Sequence, residues 1–174
     1  MTLSPSQRLA SIDDLLLYRL GRLSSVAGAM VVRLCEGGYG ITRREWAVVA
    51  QLYENGSLPP SALAERMHRD RARTSRTLSA LVQKQLVLRT IPANDRRSAL
   101  VSLTPAGQQL YEALMPQVQV INSQILSALL PGEVVLFDEA LARLQACAQA
   151  LWAEKGPDLP KANRRQGQRG KDGA

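Results

Sequence analysis

The sequence predicts a mainly α-helical chain that carries one small β-hairpin. Three observations support this prediction: apolar residues recur at steps of three and four over most of the chain, helix start and stop signals separate these stretches, and only two short segments favour β-strands. Hydrophobic residues make up 45% of the 174 residues, which is enough to form a core. We expect one folded domain over residues 1–153 and a flexible basic tail over residues 154–174.

Two helices are predicted in the first third of the chain. Apolar residues follow helical spacing over residues 9–36, and Gly37-Gly38 is a typical helix stop. The second helix begins at a capping box, in which Thr42 accepts a hydrogen bond from a backbone amide and Glu45 reaches back to the cap.

A helix-turn-helix pattern follows. Two short helices are predicted over residues 58–67 and 71–85, with three residues between them. The first half of the second helix is polar and basic, whereas its second half carries Leu78, Leu81 and Val82 at core spacing. We therefore expect its N-terminal half to project from the core and to enter the major groove of double-stranded DNA. The side chains predicted to contact bases or phosphates are Arg69, Arg71, Arg73, Thr74, Ser75 and Arg76.

A β-hairpin with a charged tip is predicted after this helix. Residues 86–91 and 98–103 are rich in strand-forming residues, and turn formers occupy residues 92–97. The tip carries Arg96 and Arg97, and these are expected to reach the adjacent minor groove, whose negative potential attracts arginine.

The last two helices have distinct start signals. Thr104-Pro105 combines a capping threonine with a proline in the first turn, and predicts a helix to about residue 129 that Pro116 bends. Residues 131–133 mark the start of the last helix, whose apolar spacing continues to about residue 151.

The positive charge of the chain is concentrated in its middle. The sequence holds 22 Lys and Arg against 15 Asp and Glu, for a formal charge of +7, and residues 60–98 carry nine basic and three acidic residues. Residues 99–153 carry one basic and four acidic residues. Clustering of one sign over the predicted helix-turn-helix and hairpin favours a polyanion such as DNA as the partner.

The scarcity of histidine and cysteine excludes several classes of protein. One His and two Cys are too few for a disulfide scaffold or a His/Cys metal cage, so we predict no metal and no cofactor. No glycine-rich phosphate loop or paired-carboxylate motif is visible, and we predict no catalytic residue, with His68 acting only at a helix end. Cys35 and Cys147 are expected to be reduced and buried. Without a signal-peptide pattern or a spanning run, a cytoplasmic location with no membrane contact is expected.

Four segments of the sequence resemble the MarR family of winged helix-turn-helix transcription regulators. They are Leu63-Ala64-Glu65-Arg66 in the third helix, Arg76 and Leu81 in the recognition helix, Asp95-Arg96-Arg97 in the wing, and Leu103-Thr104-Pro105-Ala106-Gly107 after it. The last two segments fit the family's D-x-R…L-T-x-x-G signature, and the resemblance covers residues 9–152. Two positions depart from the family pattern: Gln85 stands where glycine is usual, and Arg73 stands where a small hydroxyl residue is common.

The resemblance implies a homodimeric, ligand-responsive repressor that acts on a pseudo-palindromic operator. By similarity, the DNA-binding lobe spans about residues 42–103, and the helices of residues 9–36 and 104–153 intertwine to form the dimerisation region. Arg97 corresponds to the minor-groove arginine, and Asp95 corresponds to the carboxylate that orients the wing. The resemblance also implies release from DNA by a small effector, frequently an aromatic acid.

Basic residues beside aromatic ones are candidates for holding a carboxylate effector, and this chain offers Arg22, Tyr39, Arg43 and Trp46. The alternative is that these side chains have surface roles and that Trp46 belongs to a core face. A second function class also stays open, namely an interaction module of the same fold that binds an acidic protein instead of DNA.

Overall fold

The computed structural model describes residues 4–91 and 99–160, and within them it contains seven α-helices and one two-stranded sheet, which confirms the predicted fold class. Contacts between residues divide the chain into two units, the first ending at Ile125 and the second starting at Leu126. The elements are, in order, α1 (Pro5–Arg8), α2 (Leu16–Arg33), α3 (Arg43–Asn55), α4 (Pro60–Arg66), α5 (Arg71–Gln83), β1 (Val87–Thr90), β2 (Leu100–Leu103), α6 (Pro105–Leu126) and α7 (Pro131–Lys155).

The first long helix begins later than the apolar spacing predicts. α2 starts at Leu16, so the predicted start at residue 9 is wrong. Leu9 has φ +50, and the carboxylate of Asp14 accepts a hydrogen bond from the amide of Ala10 at 3.1 Å. Such local side-chain bonds compete with helix formation, and a 3₁₀ turn stands between α1 and α2. At its other end α2 continues directly into a π-helical turn, Leu34–Gly38, which ends at the predicted stop.

The predicted capping box at the start of α3 is confirmed. The hydroxyl of Thr42 accepts from the Glu45 amide at 3.2 Å, and Oε2 of Glu45 accepts from the Thr42 amide at 2.6 Å. α3 ends at Asn55, and Gly56 follows with φ +70, a conformation that glycine adopts without strain.

The predicted helix-turn-helix is present as α4 and α5. The turn between them passes through His68 at φ +48, and the side chain of Asp70 caps α5 by accepting from the Arg73 amide at 3.0 Å. Both helices pack on α3, α6 and the sheet around one core in the first unit. Its fully buried members include Val49, Leu63, Leu81, Val87, Val101 and Leu114.

The two strands form the predicted hairpin. β1 and β2 are antiparallel, with Val87 opposite Leu103 and Thr90 opposite Leu100. Leu58, before α4, adds a short bridge to β2, because it exchanges backbone hydrogen bonds of 2.9 and 3.0 Å with Val101. The predicted tip, with Asp95, Arg96 and Arg97, lies outside the described residues.

Thr104 joins the sheet to α6. Its hydroxyl donates to the carbonyl of Gln85 at 2.7 Å and accepts from the amide of Gly107 at 3.0 Å. A Cβ at Gly107 would stand 2.2 Å from the carbonyl oxygen of Leu86, so this position requires glycine. The L-T-x-x-G pattern therefore encodes one close backbone crossing.

The second unit contains α7, whose side chains remain accessible to solvent along the whole helix. Within the described chain α7 has no buried residue, and Trp152 is 69% exposed. α6 ends at Leu126, three residues earlier than predicted, and α7 continues to Lys155, into the predicted tail. In the described ranges no single helix is long and apolar enough to cross a membrane, although α6 and α7 pass that test when taken together.

The two cysteines differ in environment. Cys35 is fully buried, as predicted, and burial raises the pKa of its thiol. Cys147 is exposed, which corrects the prediction of burial, because it lies on the uncovered α7.

Gln85 provides a test of backbone strain. It has φ +58, in the left-handed region where the side chain meets steric resistance, and it stands where the resemblance expects glycine. We predict that Gln85→Gly raises the free energy of unfolding by about 0.5–1 kcal/mol, measured by thermal or urea unfolding. Gln85→Ala is the control, because alanine still has a Cβ and keeps the steric cost of the left-handed conformation. Equal stability of the two variants would show that the turn is not strained.

Candidate nucleic-acid interface

The N-terminal half of α5 carries most of the predicted DNA contacts on its surface. Arg69, Arg71, Arg73, Ser75 and Arg76 are all exposed. One weak ion pair touches this set, between Nη2 of Arg71 and Oε1 of Glu65 at 3.3 Å, and both side chains stay largely exposed. The remaining guanidinium groups have no ion pair with a carboxylate in residues 4–91 and 99–160, and they lie at the start of a helix, where backbone amides also favour phosphate.

Thr74 is a correction to the predicted set. Its side chain is 3% exposed, and its hydroxyl donates to the carbonyl of Asp70 at 3.1 Å. Thr74 therefore belongs to the inner face of α5 together with Leu78 and Leu81, at helical spacing of four and seven. The predicted projection of the whole first half is wrong, because the inner face of α5 already begins at Thr74, while Arg73 and Ser75 beside it are exposed.

The four residues predicted to hold an effector do not form one site. Nη1 of Arg22 pairs with Oδ1 of Asp13 at 2.9 Å on an exposed surface. Tyr39 lines a hollow beside α6, where its hydroxyl donates to the carbonyl of Ala113 at 3.2 Å and accepts from Gln117. Of the four, Arg43 and Trp46 line one cavity formed by described residues.

That cavity is a cleft of about 970 Å³ between α2, α3 and α5. Arg43 reaches across it towards α2, since a Cβ placed on Gly28 would stand 2.4 Å from Nη1 of Arg43. We call this cavity the basic cleft, because four arginines line it against two glutamates. Its lining residues include Val31, Glu36, Arg43, Arg44, Glu45, Trp46, Ala47, Arg69, Arg76, Thr77, Ala80 and Val118.

Glu45 lies at the inner wall of the basic cleft and is 5% exposed. Its Oε2 accepts from the Thr42 amide and, at 2.9 Å, from Nζ of Lys84, just past the end of α5. The same Nζ donates to the carbonyl of Gly40 at 2.8 Å. Burial alone would raise the pKa of Glu45, but the hydrogen bonds from Thr42 and Lys84 outweigh burial and hold the pKa below its ordinary value.

An aromatic stack supports the other side of α3. The rings of Trp46 and Tyr111 are 5.3 Å apart, and those of Tyr111 and Tyr53 are 3.8 Å apart, both nearly parallel. Trp46 is thus held mainly as a core residue, as the alternative interpretation of the sequence states, with one edge on the basic cleft.

The sequence did not indicate the role of Lys84. Lys84 and Glu45 lie 39 positions apart, and nothing in the local pattern of either helix pairs them. The capping box predicts that Glu45 lies at the start of a helix. It does not predict that Glu45 is buried, and burial is the reason why this carboxylate needs a cation such as Lys84.

Known proteins with similar sequences are transcription regulators. A sequence model of the MarR family matches residues 41–99. The chain is 32% identical over 111 residues to the HTH-type transcriptional regulator FarR of Neisseria gonorrhoeae. These residues are 64% of this chain and 76% of that protein. It is 31% identical over 124 residues to the HTH-type transcriptional repressor MdtR of Bacillus subtilis, covering 71% and 78%.

Solved structures of similar fold include complexes with DNA and with a ligand. The S. aureus MepR–DNA complex has a TM-score of 0.71 at 22% identity, covering 76% of this chain and 97% of that one. NadR in complex with 4-hydroxyphenylacetate has a TM-score of 0.62 at 27% identity, covering 77% and 98%.

Lys84→Met tests the bridge to Glu45. It leaves a buried carboxylate without its cation, so we predict that the free energy of unfolding falls by about 1–2 kcal/mol at pH 7. A carboxyl with a lowered pKa contributes stability above its ordinary value of 4.5 and loses this contribution as the pH falls through its lower folded value. The difference between wild type and variant should therefore shrink in acid. Urea unfolding measures it, with Lys155→Met on exposed α7 as the control, and a difference that is independent of pH would contradict the role of Glu45.

Proposed function

This chain belongs to the MarR family, and on that premise we propose that it is a repressor that binds operator DNA as a homodimer and leaves it when a small aromatic carboxylate binds. Regulators of this family are DNA-binding proteins rather than enzymes. The observation that carries the proposal is the exposed, basic first half of α5, whose arginines other than Arg71 have no ion pair with a carboxylate of the described residues.

α5 is the recognition helix of this proposal. Arg71, Arg73 and Arg76 supply guanidinium groups that bind guanine bidentately or hold phosphate, and Ser75 adds a hydroxyl for either. Arg96 and Arg97, with Asp95 to orient them, are proposed to extend the contact into the minor groove. The described strands support this, because they form a hairpin directly after α5 that ends towards these residues.

A homodimer is proposed because large apolar side chains on α2 and α7 are exposed. Leu17 is 79% exposed on α2, and Leu136 and Trp152 on α7 are similarly open. Apolar surface of this kind marks an interface in a folded protein. A two-fold dimer would place two recognition helices on half-sites about 10 base pairs apart, so the operator is proposed to be pseudo-palindromic.

The effector is proposed to bind in the basic cleft. Arg43 and Arg44 provide cations, Trp46 provides an aromatic edge, and Val31 and Val118 provide apolar walls. An aromatic carboxylate matches this combination, and 4-hydroxyphenylacetate, named for the NadR complex, is a compound of this class. Arg22 and Tyr39 lie outside the cleft and have no place in this proposal.

DNA binding is tested with the DNA upstream of the chain's own coding region. We predict a steep loss of affinity as salt rises, and that Arg73→Ala weakens binding by roughly 1–3 kcal/mol in a fluorescence-anisotropy titration. Arg143→Ala, which removes an exposed arginine of α7, is the matched control and should bind like wild type. If wild type forms no complex at low salt, the proposal fails and an acidic protein partner becomes the better interpretation.

Effector binding is tested by thermal shift with a panel of aromatic carboxylates that begins with 4-hydroxyphenylacetate. A ligand at about 100 times its Kd stabilises the native state by about 2.7 kcal/mol, which raises Tm by several degrees. We predict that Arg43→Ala abolishes the shift, whereas Arg22→Ala retains it, each measured against the Tm of the unliganded variant. Loss of the shift in Arg22→Ala alone would place the effector elsewhere.

A further inference from the structure

Two arginines belong to both of the surfaces described above. Arg69, in the turn before α5, and Arg76, on α5, are part of the basic set facing the proposed DNA site. Both also line the basic cleft, opposite Arg43 and Arg44 at the start of α3. The DNA surface and the proposed effector site are therefore continuous through these two side chains.

The guanidinium groups of the cleft are not neutralised from within. Among the described residues, the ion pairs engage Arg22, Arg71 and Lys84, and none involves an arginine of the cleft. Glu45 already accepts from Thr42 and Lys84. Glu36 also lines the cleft, but four arginines outnumber the two glutamates, so an anion that enters it gains several cationic partners.

Arg76 is free to turn towards either partner. Within the described residues it makes one long hydrogen bond, from Nε to the carbonyl of Ala72 in its own helix at 3.4 Å. A guanidinium fork that holds a carboxylate bidentately directs those donors away from a phosphate. One side chain of this kind serves the cleft or the DNA, but not both.

We propose that an anionic ligand in the basic cleft releases DNA by direct competition for Arg69 and Arg76, in addition to any change in the dimer. The inference rests on the proposed function and names its regulation: the ligand is a small carboxylate on a flat apolar body, and the groups it removes from DNA are these two arginines. Such competition acts within one protomer, so it weakens binding even to DNA that holds a single half-site. A change in the spacing of two recognition helices has no effect on such DNA.

A tethered carboxylate tests the inference without a known ligand. Ala47 lies on α3, is half-buried and lines the cleft, so Ala47→Glu introduces the anion and Ala47→Gln is its neutral match in shape. Binding is measured by anisotropy on a duplex of about 10 base pairs, which holds one complete half-site because the centres of two half-sites lie a full turn apart. We expect Ala47→Glu to bind about tenfold more weakly than Ala47→Gln at about 50 mM salt. We also expect its salt slope to be smaller by about one to two, since each lost phosphate contact removes about 0.9.

A mutant cycle separates competition from a general field effect. The difference between the Glu and Gln variants should largely disappear when Arg69 and Arg76 are both replaced by alanine. A difference that persists unchanged, or equal affinity of the two variants, overturns the inference. If Ala47→Glu unfolds, as thermal melting would show, Val32→Glu against Val32→Gln carries the same test from α2.

The same titration distinguishes failure of the proposed function from failure of the competition for Arg69 and Arg76. Wild-type chain that binds the short duplex with a steep salt dependence supports the proposed function whatever the variants do. Equal binding of the Glu and Gln variants then overturns the competition alone. Absence of a wild-type complex both with this duplex and with the full upstream DNA at low salt overturns the proposed function and the competition together.

Discussion

The buried carboxylate of Glu45 is the group on which the arrangement of the DNA-binding unit depends. A charge at that depth has to be compensated, and its two partners come from separate elements: the amide of Thr42 at the helix cap and the ammonium of Lys84. The same ammonium also donates to the carbonyl of Gly40. The loop after α2, the start of α3 and the end of α5 are thereby fixed to one point. α5 is held at its other end by Asp70.

This arrangement explains why one helix serves two surfaces. α5 is anchored by an inner face that includes Thr74 and Leu81, which leaves its remaining sides to solvent. One exposed side carries Arg71 and Ser75, and another, with Arg76, turns towards the basic cleft. In the proposed function, effector sensing and DNA recognition therefore use the same helix.

Local signals were sufficient to predict most of the fold, whereas the site needed tertiary information. The capping box, the turn-rich hairpin and the Thr104-Pro105 start are encoded by neighbouring residues, and each is present. Apolar spacing misled at residues 9–15, where side-chain bonds to the backbone prevail over periodicity. The four effector candidates do not lie together: Arg43 and Trp46 line the basic cleft, whereas Arg22 and Tyr39 lie elsewhere. The sequence could not predict this, because it does not specify which faces of α2 and α3 approach each other.

The crossing at Gly107 has a mechanical consequence. Since Thr104 bonds to Gln85 and the Leu86 carbonyl crowds Gly107, the first turn of α6 and the root of the wing form one rigid corner. α6 extends from this corner for 22 residues with Pro116 inside it, and a regular helix of that many residues is about 33 Å long. A rotation of about 5° at the corner displaces the far end of such a helix by about 3 Å. A small change of angle at this corner therefore corresponds to a much larger displacement at the far end of α6.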